Sequence, residues 1–266
     1  MICQNWKDIF KTLYFGSNEI NARGIKCYEI EDFCFYIDQP FANFPSRKLS
    51  LSYIAKEFNW YLSGDRNNTY IEETSSFWAT IKNKKKPYYN SNYGYYFFTE
   101  NQFQYIIDKL IEDKDSRQAT IVLNRPEVMM SESSDKICTN AISFRIRDNK
   151  LNMSVSMRSN DLIYGTCIDV PQFFFIREMV LIMLKQFYPK LEVGTYFHKA
   201  DSLHFYERHL KMVTSIVENN EEVHPINLPK IHSSYEVKDL IDFKLNDLPR
   251  SESYEFTQKM QHLVSQ

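Results

Sequence analysis

A cysteine side chain becomes a strong nucleophile once ionised, and a nearby cation favours that ionised form. Cys138 opens a strand-like run, Ile137-Cys138-Thr139-Asn140, and Arg158 lies one hairpin later in Met157-Arg158-Ser159-Asn160-Asp161. A hairpin between the two runs would set the guanidinium beside the sulfur. A third segment, Gly165 to Asp169, adds a carboxylate that can read a hydrogen-bonding edge or carry a proton. Taken singly, each residue has a plainer reading. Cys138 alone is a small buried hydrophobe, and Cys167 competes with it for any nucleophilic role. Arg117 and Arg158 alone are structural ion pairs, Asp161 is a turn acceptor, and Asp169 caps a helix beginning near Val170. Glu57 alone is solvated helix surface, and His204 and Tyr206 are satisfied polar groups at a core edge.

The elements that must position these groups follow from hydrophobic periodicity. Residues 4–14 form an amphipathic helix with Trp6, Ile9, Phe10 and Leu13 on one face, and residues 27–38 alternate as a strand. Residues 50–62 form a second helix, with Ser50 as N-cap and Gly64 just beyond its end. Residues 103–111 are a third helix and residues 120–123 a short β-branched strand. Residues 141–146 and 151–157 alternate around Asp148-Asn149-Lys150 as a hairpin. A buried, all-round apolar helix spans residues 170–187, followed by a strand over 192–198 and a helix over 203–216. Mixed strands and helices with sequential hairpins make the fold α+β.

Composition bounds the function. The chain has 266 residues, 43% of them hydrophobic, which is enough for a sizeable core, and no linker or repeat divides it, so a single domain over 1–266 is expected. A net charge of −2 argues against a nucleic-acid scaffold, and the one basic cluster, Lys82-Asn83-Lys84-Lys85-Lys86, reads as a solvated loop. Five cysteines without ligand spacing suggest neither a metal site nor a disulfide framework. With no apolar run of membrane-spanning length and no leader pattern, the expected compartment is the reducing cytoplasm. The Lys, Asn, Ile and Tyr bias points to an AT-rich, virus-like genome, and the cytoplasm would then be that of the host.

In order and spacing, the segments around Cys138, Arg158-Ser159-x-Asp161 and Asp169 resemble the thymidylate synthase family. Further matches keep chain order. Glu57-Phe58-Asn59-Trp60-Tyr61-Leu62-Ser63-Gly64-Asp65 is similar to the family's Glu-x-x-Trp-Phe-Leu-x-Gly-Asp helix end, and Tyr93-Gly94 matches a further Tyr-Gly. Asp115-Ser116-Arg117 resembles its Ser-Arg segment, Asp201-Ser202-Leu203-His204-Phe205-Tyr206 its sugar-binding motif, and Arg23-Gly24 its N-terminal phosphate arginine. The resemblance implies a thymidylate synthase-like fold in a homodimer joined through a sheet face. It also implies a pyrimidine deoxynucleoside monophosphate as substrate and 5,10-methylenetetrahydrofolate as cosubstrate, without a metal. By the same likeness Cys138 is the nucleophile, Glu57 orders water, and Arg23, Arg158 and the partner's copy of Arg117 hold phosphate. Ser159, Asp161, His204 and Tyr206 hold the nucleotide, and Trp78 meets the folate.

Where synthases read uracil with asparagine, this chain has Asp169, as in the deoxycytidylate hydroxymethylase branch. Cytosine inverts the uracil edge, and a carboxyl group answers it either protonated, by donating to N3, or ionised, by pairing with an N3-protonated base. Ile81 stands where synthases keep a second tryptophan, and His262 to Gln266 stand where they end in an apolar tail; both changes would admit water in place of hydride. Thr139, Gln118 and Met157 also depart from the synthase pattern and imply a less cationic phosphate site. The expected activity is hydroxymethylation of dCMP at C5. The alternatives are dCMP methylation, action on dUMP, action on CMP, and a silent nucleotide-binding member.

Overall fold

A computed structural model describes residues 2–82, 88–248 and 254–266. Of the basic cluster only Lys82 is among them, and it pairs with Glu72 at 2.6 Å. The first half of the chain forms α1 (Trp6–Gly16), β1 (Asn18–Ala22), β2 (Ile25–Tyr36), α2 (Leu51–Leu62), α3 (Tyr70–Thr74), α4 (Ser76–Ile81), α5 (Gln102–Glu112), β3 (Thr120–Val122) and α6 (Pro126–Met129). The second half forms β4 (Thr139–Arg147), β5 (Lys150–Met157), β6 (Asn160–Asp161), α7 (Cys167–Lys185), β7 (Glu192–Tyr206), α8 (Leu210–Glu218), α9 (Ser234–Asp247) and α10 (Glu255–Val264).

The seven strands make one mixed sheet in the order β1-β2-β7-β5-β4-β3, with β6 added beside β7. Pairing is antiparallel except that β7 runs parallel to β5 and to β6. Helices α1, α5 and α7 pack on this sheet through apolar faces, while α2, α9 and α10 pack on α7 and on one another. In α1 that face is Trp6, Ile9, Phe10 and Leu13, and the Asn5 side chain caps the first turn by accepting from Asp8 N. Helix α7 is buried on nearly every side and carries Gln172 and Arg177 into the interior with its apolar residues. Helix α2 is enclosed likewise, so that Glu57 and Asn59 are buried with Phe58 and Trp60. The chain leaves α2 through Gly64, whose φ of +57° is the left-handed conformation glycine adopts without a Cβ penalty.

The hairpin forms as its alternation predicts, and Asp148 and Asn149 both take positive φ, as a two-residue turn of type I′ requires. One expectation is corrected. Residues 203–206 are not helical: β7 continues to Tyr206, a short 3₁₀ turn follows at Glu207–His209, and α8 begins only at Leu210. Leu203, His204 and Phe205 are consecutively buried because β7 lies between β2 and β6 and is covered on both faces. A doubly buried strand loses its period of two and imitates a helix in sequence.

Candidate active site

The ends of β4 and β5 build the first half of the site. Cys138 immediately precedes β4 and Arg158 immediately follows β5, with Arg158 N–H donating to Cys138 C=O at 2.9 Å. The guanidinium is held by Nε–H to Ile137 C=O at 2.9 Å and Nη2–H to Lys136 C=O at 3.2 Å. That leaves Nη2 3.7 Å from the Cys138 sulfur. The thiol is partly exposed, whereas Cys3, Cys27 and Cys167 are buried. Arg158 acts on the thiol in the expected direction, but burial outweighs it, and the charges of Asp169 and Asp135 add to burial. The thiol is pushed up to about 11. The arginine favours the thiolate without by itself producing it.

The second half comes from the turn into α7. Asp161 Oδ1 and Oδ2 accept from Ile163 N–H at 3.0 Å and Tyr164 N–H at 3.4 Å, so Asp161 does cap a turn, as its plain reading held. Asp169 sits in the first turn of α7 but is not its N-cap; Thr166 is. The Asp169 carboxylate instead accepts from Asn160 Nδ2–H at 2.8 Å. Withdrawal from water, with a smaller contribution from Asp161, raises Asp169 to about 6 against the effect of the Asn160 bond.

Glu57 reaches the same centre from α2. Its carboxyl accepts from Gln172 Nε2–H at 3.1 Å and from Tyr53 O–H at 3.4 Å, and the Tyr53 oxygen in turn accepts from Trp78 Nε1–H at 3.0 Å. Burial first, and the Asp169 charge second, raise Glu57 to about 8. Trp78 is enclosed by Trp60 and Tyr89, so its indole N–H serves the Tyr53–Glu57 chain. Thr139, one of the departures from the synthase pattern, is fully buried and donates to Tyr93 O–H at 3.1 Å, while Tyr93 stacks on Tyr61.

A third group gathers at the β7 end. His204 lies opposite Asp161 across the β6–β7 pairing, and the His204 and Tyr206 rings meet edge to face at 5.3 Å. Arg23 occupies the β1–β2 turn at φ 53°, and its charge is felt at both Cys138 and Tyr206. Ser159 is half-buried between Arg158 and Asn160. Arg117 is not part of this assembly: it is exposed in the loop before β3 and makes no hydrogen bond or ion pair among the described residues. Sequence reasoning overlooked Tyr53, Asn160, Thr166 and Gln172. Asn160 is the unspecified position of Arg158-Ser159-x-Asp161 and Thr166 lies between Gly165 and Asp169, and only their neighbours across the turn give them a purpose. Among the described residues no group of His, Cys, Asp and Glu could hold a metal, and no helix is long and apolar enough to cross a membrane.

Known proteins carry the same framework. The family model described as thymidylate synthase matches residues 5–265. The deoxycytidylate 5-hydroxymethyltransferase of Enterobacteria phage T6 is 29% identical over 207 residues, covering 73% of this chain and 81% of the relative. The deoxyuridylate hydroxymethyltransferase of Bacillus phage SP01 is 26% identical over 243 residues, covering 85% of this chain and 62% of that protein. The solved thermostable thymidylate synthase A from Bacillus subtilis superposes with a TM-score of 0.69 at 18% identity, covering 88% and 91% of the two chains, and so shares the fold. The α+β framework and the match along nearly the whole sequence make this chain a member of the thymidylate synthase family.

Proposed function

We propose that this transferase converts dCMP to 5-hydroxymethyl-dCMP. The observation that carries the base assignment is Asp169, a half-buried carboxylate on the Cys138 side of α7 where uracil-reading relatives place an amide. A carboxylate accepts from the cytosine amine and pairs with a proton at N3, whereas it would set acceptor against acceptor at uracil O4. Such a mispaired buried edge costs a few kcal/mol, or roughly a hundredfold in selectivity. The T6 relative's name agrees with this base. Likeness to the SP01 protein supports a second reading, action on dUMP, which the acceptor-only edge of Asp169 opposes.

Each group then has a task. The Cys138 thiolate adds to C6 of the base, forming the S–C6 bond and making C5 nucleophilic. Arg158, 3.7 Å from the sulfur, stabilises the attacking anion and, with Arg23, faces the phosphate. When bound, methylenetetrahydrofolate supplies the one-carbon unit to C5. The site suits it: Tyr53 and Ile81 form a half-buried rim beside Trp78, and Gln172 Oε1 is a buried acceptor with no partner among the described residues. Glu57, fixed by Tyr53 and Gln172, takes up and returns protons near pH 8 and orients the water that becomes the hydroxyl group. Loss of the C5 proton, with tetrahydrofolate as the leaving group, leaves an exocyclic methylene on C5; water bonds to that carbon and gives up a proton, and cleavage of the S–C6 bond restores the C5–C6 double bond and the Cys138 thiolate. His204 and Tyr206 face the sugar, and Arg117 serves the other subunit of a homodimer.

Trapping with 5-fluoropyrimidine nucleotides tests this reading. With methylenetetrahydrofolate present, 5-fluoro-dCMP should add covalently to the wild-type protein and not to Cys138→Ser, as read by intact mass and peptide mapping. Trapping by 5-fluoro-dUMP alone would overturn the base assignment, and adduct on another residue would overturn the nucleophile.

A further inference from the structure

Asp169 is not free to turn. Asn160 is 2% exposed, and both ends of its amide are engaged: Nδ2–H donates to Asp169 Oδ2 at 2.8 Å, and Oδ1 accepts from Thr166 Oγ1 at 2.7 Å. Thr166 is fully buried and has one hydroxyl hydrogen. Its other acceptor, Asp161 C=O, lies at 3.3 Å, so the shorter bond to Asn160 is favoured. That choice fixes which end of the amide is oxygen and therefore turns its N–H₂ toward Asp169. Gly165 closes the arrangement from outside. A Cβ there would lie 2.8 Å from Asn160 Nδ2 and 3.5 Å from Asp169 Oδ2, so only glycine leaves the pair in place.

We propose that Asn160, locked by Thr166 and backed by Gly165, is a specificity-determining positioning residue that occupies Asp169 Oδ2 and presents Oδ1 to the base. This rests on the reading of Asp169 as the base-reading group and deepens it. The N–H₂ of Asn160 can serve Asp169 Oδ2 only as a donor. Any carboxyl proton is therefore left to Oδ1, so the same oxygen faces cytosine whether it donates to N3 or accepts from an N3-protonated base. Asn160 touches Asp169 and not the reacting atoms, so its loss should lower discrimination more than it lowers catalysis on the better substrate.

The test compares kcat/KM for dCMP and dUMP in wild type, Asp169→Asn, Asn160→Ala, Gly165→Ala, Thr166→Val and Thr166→Ser, with thermal unfolding of each as the folding control. Losing one charge-assisted bond should reduce the dCMP-to-dUMP ratio by about 10- to 100-fold in Asn160→Ala. Thr166→Val and Gly165→Ala should move it the same way by less, and Thr166→Ser should restore the wild-type ratio. If Asn160→Ala and Thr166→Val both keep the wild-type ratio while Asp169→Asn inverts it, the clamp is wrong and the base assignment stands. If Asp169→Asn leaves the ratio unchanged, the base assignment itself fails. Should Asn160→Ala not fold, the Thr166→Val and Thr166→Ser pair decides.

Discussion

Replacing Glu57 by glutamine should make the protein less active and, at alkaline pH, more stable. Glu57 is 4% exposed on α2, and its carboxyl is raised from an ordinary 4.5 to about 8 by burial and by the charge of Asp169. An unfolded chain releases this proton near pH 4.5 and the folded chain holds it to about pH 8. Between those values the folded state binds more protons, so the contribution is complete below pH 4.5 and is lost as pH rises through 8. At 1.36 kcal/mol per pKa unit the whole window is worth about 5 kcal/mol, of which about 3 kcal/mol falls between pH 5 and pH 8. Glutamine removes that dependence. Its oxygen can accept from Tyr53 or from Gln172 but not both, which costs about 1 kcal/mol at every pH and so cancels from the difference. Urea unfolding at pH 5, 6.5 and 8 should show the Glu57→Gln advantage over wild type growing by about 3 kcal/mol across the series. Turnover should fall about 10²- to 10⁴-fold, the usual range for a lost acid–base group. Parallel stability curves for the two proteins would show that Glu57 is not held protonated and would remove it as the group that titrates near pH 8.

Three further outcomes follow from the same geometry. The Arg158 charge lies 3.7 Å from the Cys138 sulfur but is exposed and screened, so Arg158→Gln should cost the thiolate about 1–2 kcal/mol. The iodoacetamide rate at pH 8 should then drop roughly tenfold, measured in a Cys34→Ser background because Cys34 is the other cysteine that is not buried. Tyr53→Phe breaks the link between Trp78 and Glu57 while keeping the ring, and kcat should fall about tenfold with little change in the Kd for dCMP, read by steady-state kinetics and calorimetry. Asn149→Val forces a β-branched residue to φ 56° in the hairpin turn, and chemical unfolding should show a loss of about 1–2 kcal/mol.

The sequence was most legible where local chemistry and tertiary context agree. The α2 helix, with its Ser50 cap and Gly64 exit, and the hairpin that brings Arg158 to Cys138 are specified by turn residues and period, and both form. Strand β1 was not legible because Asn-Glu-Ile-Asn-Ala is a polar, exposed edge with little to bury. The end of β7 was misread because burial on both faces erases alternation. Helices α9 and α10 were passed over, and α9 is broken by Lys244 at φ 62°. Among the candidate site residues, Cys138, Arg158, Asp161, Asp169 and Glu57 were visible through the ordered resemblance to the thymidylate synthase family, since each alone has a plainer reading. Asn160, Thr166 and Tyr53 were not, since an amide or hydroxyl acquires a role only from what faces it. The strength of burial at Cys138 was also hidden: sequence places the arginine beside the thiol but cannot weigh it against lost solvation.

The central claim is that Cys138 and Asp169 together hydroxymethylate a cytosine nucleotide. Its most direct test is to supply methylenetetrahydrofolate with dCMP or with dUMP and to identify the nucleotide product by mass. The expected product is 5-hydroxymethyl-dCMP from dCMP, with no dihydrofolate formed and no product from Cys138→Ser. Turnover of dUMP alone would contradict the role of Asp169, and methyl-dCMP with dihydrofolate would contradict water as the final acceptor.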